Sequence, residues 1–199
     1  MKAAFEATLA FPPLFRILRE FILRRHPSGQ KIAMHVRHER PLPSHASPLI
    51  CLSKSGLAGI FPSLFQEIVV PEAVIKEITA EGKADFAAKP LISQTWLRRI
   101  ADIPLDPRVV AWDLGEGESA VLSFALKNPG FWAVMDDREA RRCALSIQCR
   151  FIGTLGVLLL AKKRRIIPSL RETLGQLQGA GFWLSASLID EICQKSGEK

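Results

Sequence analysis

Apolar positions along the chain change their spacing in a repeating order. Glu67-Ile68-Val69-Val70 is a short apolar run of strand length, and Val74 and Ile78 then recur four apart, as on one helix face. Pro71 stands where a helix favours its first residue, and Glu72 in that turn suits the dipole. The succession then returns. Trp96–Ala101 predicts a strand, and residues 113–119 lead into a helix burying Ala120, Val121, Phe124 and Ala125. Phe131–Met135 predicts a strand, 137–148 a helix, and Arg150–Ile152 a strand. Gly153–Arg164 predicts a nearly all-apolar helix, and Pro168–Gly179 and Ser185–Gln194 two closing helices. Short helices are expected over Leu49–Lys54 and Leu57–Phe65. Strands alternating with helices imply an α/β fold whose parallel sheet carries helices on both faces.

The first part of the chain has another texture. Residues 3–25 predict an amphipathic helix or helix pair broken at Pro12-Pro13, with Pro27-Ser28-Gly29 as the stop. Ile32, Met34 and Val36 alternate with His35 and Arg37, a short strand signal. Arg40-Pro41-Leu42-Pro43-Ser44 reads as a linker, and regular alternation begins near residue 44. The expected organisation is an N-terminal basic, helical extension over 1–43 and one domain over 44–199, a size that suits a single core.

Charge sharpens that division. Of the net +7, residues 1–46 carry eight Lys/Arg against three Asp/Glu, and residues 47–199 carry nineteen against seventeen. The basic excess is an N-terminal property that favours a polyanion such as RNA or simply a solvated helix face. Lys162-Lys163-Arg164-Arg165 ends a helix, where cations complement the dipole; RNA backbone contact is the alternative. No uncharged run is long enough to span a bilayer. The apolar stretch from Leu9 to Leu23 is interrupted by Arg16, Arg19 and Glu20, unlike the core of a signal peptide. A cytoplasmic protein is expected, with no membrane partner. Cys51, Cys143, Cys149 and Cys193 form no C-x-x-C pair and read as buried, reduced thiols. His35, His38 and His45 cluster without a third strong ligand type, so a zinc site is not expected.

Candidate chemistry lies in the acids. The strand at 131–135 stops on Asp136-Asp137, and ligands in parallel sheets collect at the carboxyl ends of strands. Adjacent carboxylates there either cap the next helix or share a cation. Glu77 flanks the apolar face of its helix, and Glu116 and Glu118 open another helix beside Gly115 and Gly117. Oxygen ligands in three separated segments suit a hard divalent cation and phosphodiester hydrolysis. No Walker A loop and no G-x-G-x-x-G is present, which disfavours a nucleotide-phosphate loop, and no nucleophile–base pair supports a small-molecule enzyme.

Five ordered segments resemble one family. They are Ala46-Ser47-Pro48-Leu49-Ile50, Ile68–Ile78, Leu114-Gly115-Glu116-Gly117-Glu118-Ser119-Ala120, Met135-Asp136-Asp137-Arg138 with Ala140-Arg141, and Gly153-Thr154-Leu155-Gly156-Val157-Leu158-Leu159. The family is the PIN-domain-like group known as domain of unknown function 3368, related to the toxin nucleases of VapBC modules. The resemblance implies a three-layer α/β/α sandwich around a parallel sheet, and a ribonuclease dependent on Mg²⁺ or Mn²⁺. By position Glu77, Glu118 and Asp137 look like the second, third and fourth family acids, with Asp136 as a helper and Ser47 near metal or phosphate. RNA, a small antitoxin protein that blocks the pocket, and a second copy of the chain are the implied partners. The family has Asp just before Ala-Ser-Pro-Leu-Ile; this chain has His45, a poorer partner for Mg²⁺ than a carboxylate and a better one for transition metals. The resemblance therefore implies either an impaired nuclease or a degenerate domain that binds RNA or an antitoxin-like partner without cutting. Residues before 44 have no counterpart in it, and prolines 41 and 43 do not suit a central strand.

Overall fold

The computed structural model describes residues 31–34, 48–79 and 92–198. The expected N-terminal helices, the 40–44 linker, the histidine cluster and Ser47 lie outside the described residues. A five-stranded sheet in the order β3-β2-β1-β4-β5 is parallel throughout. Its strands are β1 (Lys31–Met34), β2 (Glu67–Pro71), β3 (Leu97–Ile100), β4 (Phe131–Val134) and β5 (Phe151–Ile152). The described helices are α1 (Pro48–Lys54), α2 (Ile60–Leu64), α3 (Glu72–Thr79), α4 (Pro107–Val110), α5 (Glu116–Lys127), α6 (Arg138–Ser146), α7 (Thr154–Lys163), α8 (Leu170–Gly179) and α9 (Ala186–Lys195).

The strand signal near Ile32 is realised as the central strand: Lys31 pairs with Glu67 on one side and with Phe131 on the other. The sheet therefore draws on chain that precedes the expected boundary at residue 44. From β1 the order runs outward through β2 and β3 one way and β4 and β5 the other. The carboxyl ends of β1 and β4 thus flank the point where strand order reverses, the usual crevice of an open α/β sheet.

Pro71 differs from expectation. It is the last residue of β2, paired with Ile100, and α3 starts at Glu72. A proline is tolerated there because β1 pairs with β2 only as far as Val69, so no ladder donor is lost on that side. Helix α4 was not expected. It starts on Asp106-Pro107, with Asp106 Oδ1 accepting from the Arg108 N–H at 3.0 Å, a cap-then-proline start that the sequence does contain.

Helix α5 carries the site. Its residues from Gly117 to Ala125 are buried without interruption, because α3, α4, β1, β2 and β4 all pack on it. Phe124 meets Phe131 of β4 edge-on at 4.9 Å between ring centres, a favoured aromatic geometry. As α5 leads down into β4, its first turn stands at the carboxyl edge of the sheet, where α3, α6 and α7 also begin.

Two members of the basic cluster at the end of α7 have structural tasks. Lys162 Nζ donates to the Pro168 carbonyl at 2.6 Å and pairs with Glu198 at 3.3 Å, while Arg164 Nη1 donates to the Leu64 carbonyl at 2.9 Å. Glu198 also accepts from the Ser169 hydroxyl and the Leu170 N–H, clipping the chain's last residues onto the start of α8. Burial alone would raise this carboxyl; the Ser169, Leu170 and Lys162 donors outweigh it and bring the pKa from 4.5 to about 2. A carboxyl depressed on folding adds stability that is present above its unfolded value and lost as pH falls through the folded one. Glu198→Gln is expected to lower stability at pH 7 by about 1 kcal/mol, allowing for solvent screening. It should also flatten the loss of stability between pH 4.5 and about 2, read by thermal melts across that range.

Candidate functional site

Glu77 and Glu118 meet at the first turn of α5. Glu118 is only 1 % exposed, an acid set inside the core rather than on its rim. Glu77, half-buried on α3, reaches across so that its Oε1 accepts the Gly117 N–H at 2.9 Å. A Cβ placed on Gly115 would lie 3.8 Å from Glu118 Oε2 and 4.0 Å from Glu77 Oε1, so both carboxylates approach the same small volume. Among the described residues no hydrogen-bond donor is directed at Glu77 Oε2 or Glu118 Oε1, both of which are buried. Two carboxylates in such proximity repel unless a proton or a cation lies between them. The positive end of α5 offsets part of that cost. Glu116 points outward and is exposed, as a dipole-favouring acid would be.

Asp136 and Asp137 are turned to backbone and hydroxyl donors. Asp137 caps α6, its Oδ1 accepting the Ala140 N–H at 2.8 Å, so the helix-capping reading describes that oxygen. Asp136 reaches from the end of β4 to the start of α7, its Oδ1 accepting the Thr154 N–H at 2.9 Å and its Oδ2 the Thr154 hydroxyl. Gly153 permits this contact: a Cβ there would sit 2.7 Å from Asp136 Oδ1. Burial first, and the Asp136 carboxylate second, push the Cys51 thiol up to about 12, with Lys54 opposing. Asp136 therefore lies near α1 as well as α7. All four cysteines are free and buried, as expected.

The donor set suits a hard cation in kind. Mg²⁺ takes one or two protein carboxylates and keeps several waters, and Glu77 with Glu118 supplies such a pair. It does not amount to a complete acidic cluster. Among the described residues no group of three His, Cys, Asp or Glu is placed to hold a metal ion. His45 and Ser47 fall outside those residues, and Asp136 and Asp137 spend the oxygens named above on caps.

A family model described as a PIN domain, domain of unknown function 3368, matches residues 44–198. The chain belongs to the PIN-domain family. No curated protein and no solved structure matches it significantly. The PIN-family match begins after β1, so the strand at the middle of the sheet precedes it. Among the described residues of this PIN domain, no helix is long and apolar enough to cross a membrane. Membership accounts for a nuclease-like α/β architecture. It also gives a context for the Glu77–Glu118 pair that packing alone does not.

Sequence reading missed two parts of this PIN domain's edge. Thr154 is fully buried and engages both oxygens of Asp136, and Gly153 is small because Asp136 occupies its side-chain space. The signal was the Gly153-Thr154 pair directly after a strand, which was visible but was assigned no chemistry.

Proposed function

We propose that the chain is a metal-dependent endoribonuclease of the PIN, VapC-toxin type, a hydrolase of phosphodiester bonds. The observation that carries this reading is the convergence of Glu77 and Glu118 at the start of α5, in a family of nuclease-like domains. The fold we propose is a three-layer α/β/α sandwich, with that pair at the carboxyl edge of its parallel sheet. Glu77 and Glu118 would hold Mg²⁺ or Mn²⁺, with Asp137 at the position of the fourth family acid and Asp136 as its helper, His45 at the position of the first family acid and Ser47 near the phosphate. Bound there, the ion supplies Lewis-acid stabilisation of charge on phosphoryl oxygens. The chain's own contribution is to desolvate the two glutamates and fix their orientation through the Gly117 N–H. RNA is the substrate, a small antitoxin that covers the acidic pocket and a second copy of the chain are the partners, and the cytoplasm is the site of action.

A second reading has its own support. The capping contacts of Asp136 and Asp137, with His45 in place of an aspartate, favour a domain that binds RNA or an antitoxin-like partner without cutting. Cleavage of single-stranded RNA with Mg²⁺, Mn²⁺ and Zn²⁺, wild type beside His45→Asp, separates the two. Wild-type cleavage abolished by EDTA is the expected result. Cleavage by the aspartate variant alone identifies a disabled nuclease, and no cleavage by either with any ion sinks the enzymatic reading.

A further inference from the structure

Arg141 belongs to the Ala140-Arg141 motif, to which the reading above gives no task. It lies at the end of the first turn of α6, behind the carboxyl end of β4, and is half-buried; every other described arginine is exposed. Exposed arginines 98, 99, 108, 142 and 171 each pair with a carboxylate. Arg141 forms no ion pair among the described residues. Its Nε donates to the Asp137 carbonyl at 3.3 Å, and its Nη1 comes within 3.8 Å of where a Gly153 Cβ would stand. Asp136 faces it across the same glycine but is turned to Thr154 instead. A guanidinium has five donors in a fixed fork, and the Nη groups of Arg141 keep contact with solvent, open to an anion. Here the fork is held at its base by one backbone carbonyl, at the carboxyl edge of the sheet between β4 and β5.

We propose that Arg141 is a phosphate-binding residue, gripping a non-bridging phosphate oxygen of a single RNA strand laid across the carboxyl ends of β4 and β5. The planar fork suits phosphate, as it suits carboxylate. The assignment rests on RNA as the proposed ligand of the same edge, whether or not it is cut. Arg141 would position the strand by its backbone, without reading bases, while the glutamates act on the adjoining segment.

The test is binding of a short single-stranded RNA oligonucleotide in EDTA, titrated against salt, alongside cleavage with Mn²⁺. Arg141→Gln is expected to weaken binding about tenfold, as loss of a charge-assisted contact does. It should also shallow the log–log salt slope by about 0.7, the value for one phosphate contact on a single strand. Arg141→Lys keeps the charge and loses the fork, so its salt slope should stay at the wild-type value while affinity falls. It serves as the reporter if the glutamine variant melts early. Arg142→Gln, which removes an exposed arginine paired with Glu139 and lying over Trp112, should bind as wild type does. Unchanged binding by Arg141→Gln, or an equal loss in Arg142→Gln, overturns the proposal. Because binding is read without metal, a wild type that binds but never cuts removes the nuclease reading and leaves Arg141 in place. A wild type that cuts while Arg141→Gln matches it in both assays removes only Arg141.

Discussion

Glu118→Gln is expected to abolish the response to divalent ions and RNA cleavage together while the fold stays intact. Glutamine has the shape of glutamate, and the change relieves repulsion with Glu77, so the melting temperature without metal should be unchanged or raised. What disappears is one of two carboxylates that would hold the ion. In the wild type, Mn²⁺ at about a hundredfold over its Kd adds about 2.7 kcal/mol of stability. At roughly 2–4 °C per kcal/mol for a chain of this size, that is a shift of several degrees. Glu118→Gln should show almost none of it, and cleavage should fall about a hundredfold or more. A variant that keeps the metal-induced shift would remove Glu118 from the ion's ligands, whatever happened to activity.

Gly153→Ala is expected to be the most destabilising single-methyl change at this edge. The added carbon would stand 2.7 Å from Asp136 Oδ1 and 3.4 Å from the Met135 carbonyl oxygen. Asp136 cannot turn away cheaply, because Thr154 engages both its oxygens, and Met135 is held by its N–H to the Ile152 carbonyl at 3.0 Å. Overpacking of this kind costs about 1–3 kcal/mol. Thr154→Val keeps the shape and deletes one donor to a largely enclosed carboxylate, a loss of about 1–3 kcal/mol. Both changes act on the Asp136–Thr154 contact, so the double variant should lose less than the two separate losses combined. Thermal melts of the four proteins decide this. Strict additivity would mean that Gly153 and Thr154 do not act through a shared clamp.

Elements were legible in this chain wherever one periodicity ran unbroken. Strands β2 to β5 and helices α5 to α9 fall where apolar runs and four-residue spacings put them, because burial on both sheet faces favours runs and burial of one helix face favours the spacing. Pro71 was misplaced because a proline that suits a helix start also suits a strand end beyond its neighbour's last pair. The site was legible in its residue types and less so in its contacts. Glu77 stood out as an acid on an apolar flank, and Glu118 followed a glycine. Their meeting depends on α3 packing against α5, a tertiary fact that no local pattern encodes. Asp136 and Asp137 offer the same letters whether they cap or coordinate. Only their donors, Thr154 and Ala140, distinguish the roles.

The position of β1 has a consequence for how the chain is made. Its four residues come first among the described strands, yet their partners are Glu67–Val69 and Phe131–Val134. A ribosome must therefore release most of the domain before the middle of the sheet can close. Until β4 emerges, β1 can pair with β2 on one side only and keeps its other edge unsatisfied, the kind of surface that recruits foreign strands. Pairings between such distant segments close slowly, since loop entropy is spent before contacts return it. The yield of soluble protein should thus depend on how quickly β1 is captured between its neighbours. Slower growth at lower temperature would favour that capture, and a fragment starting at residue 44 would forgo it altogether.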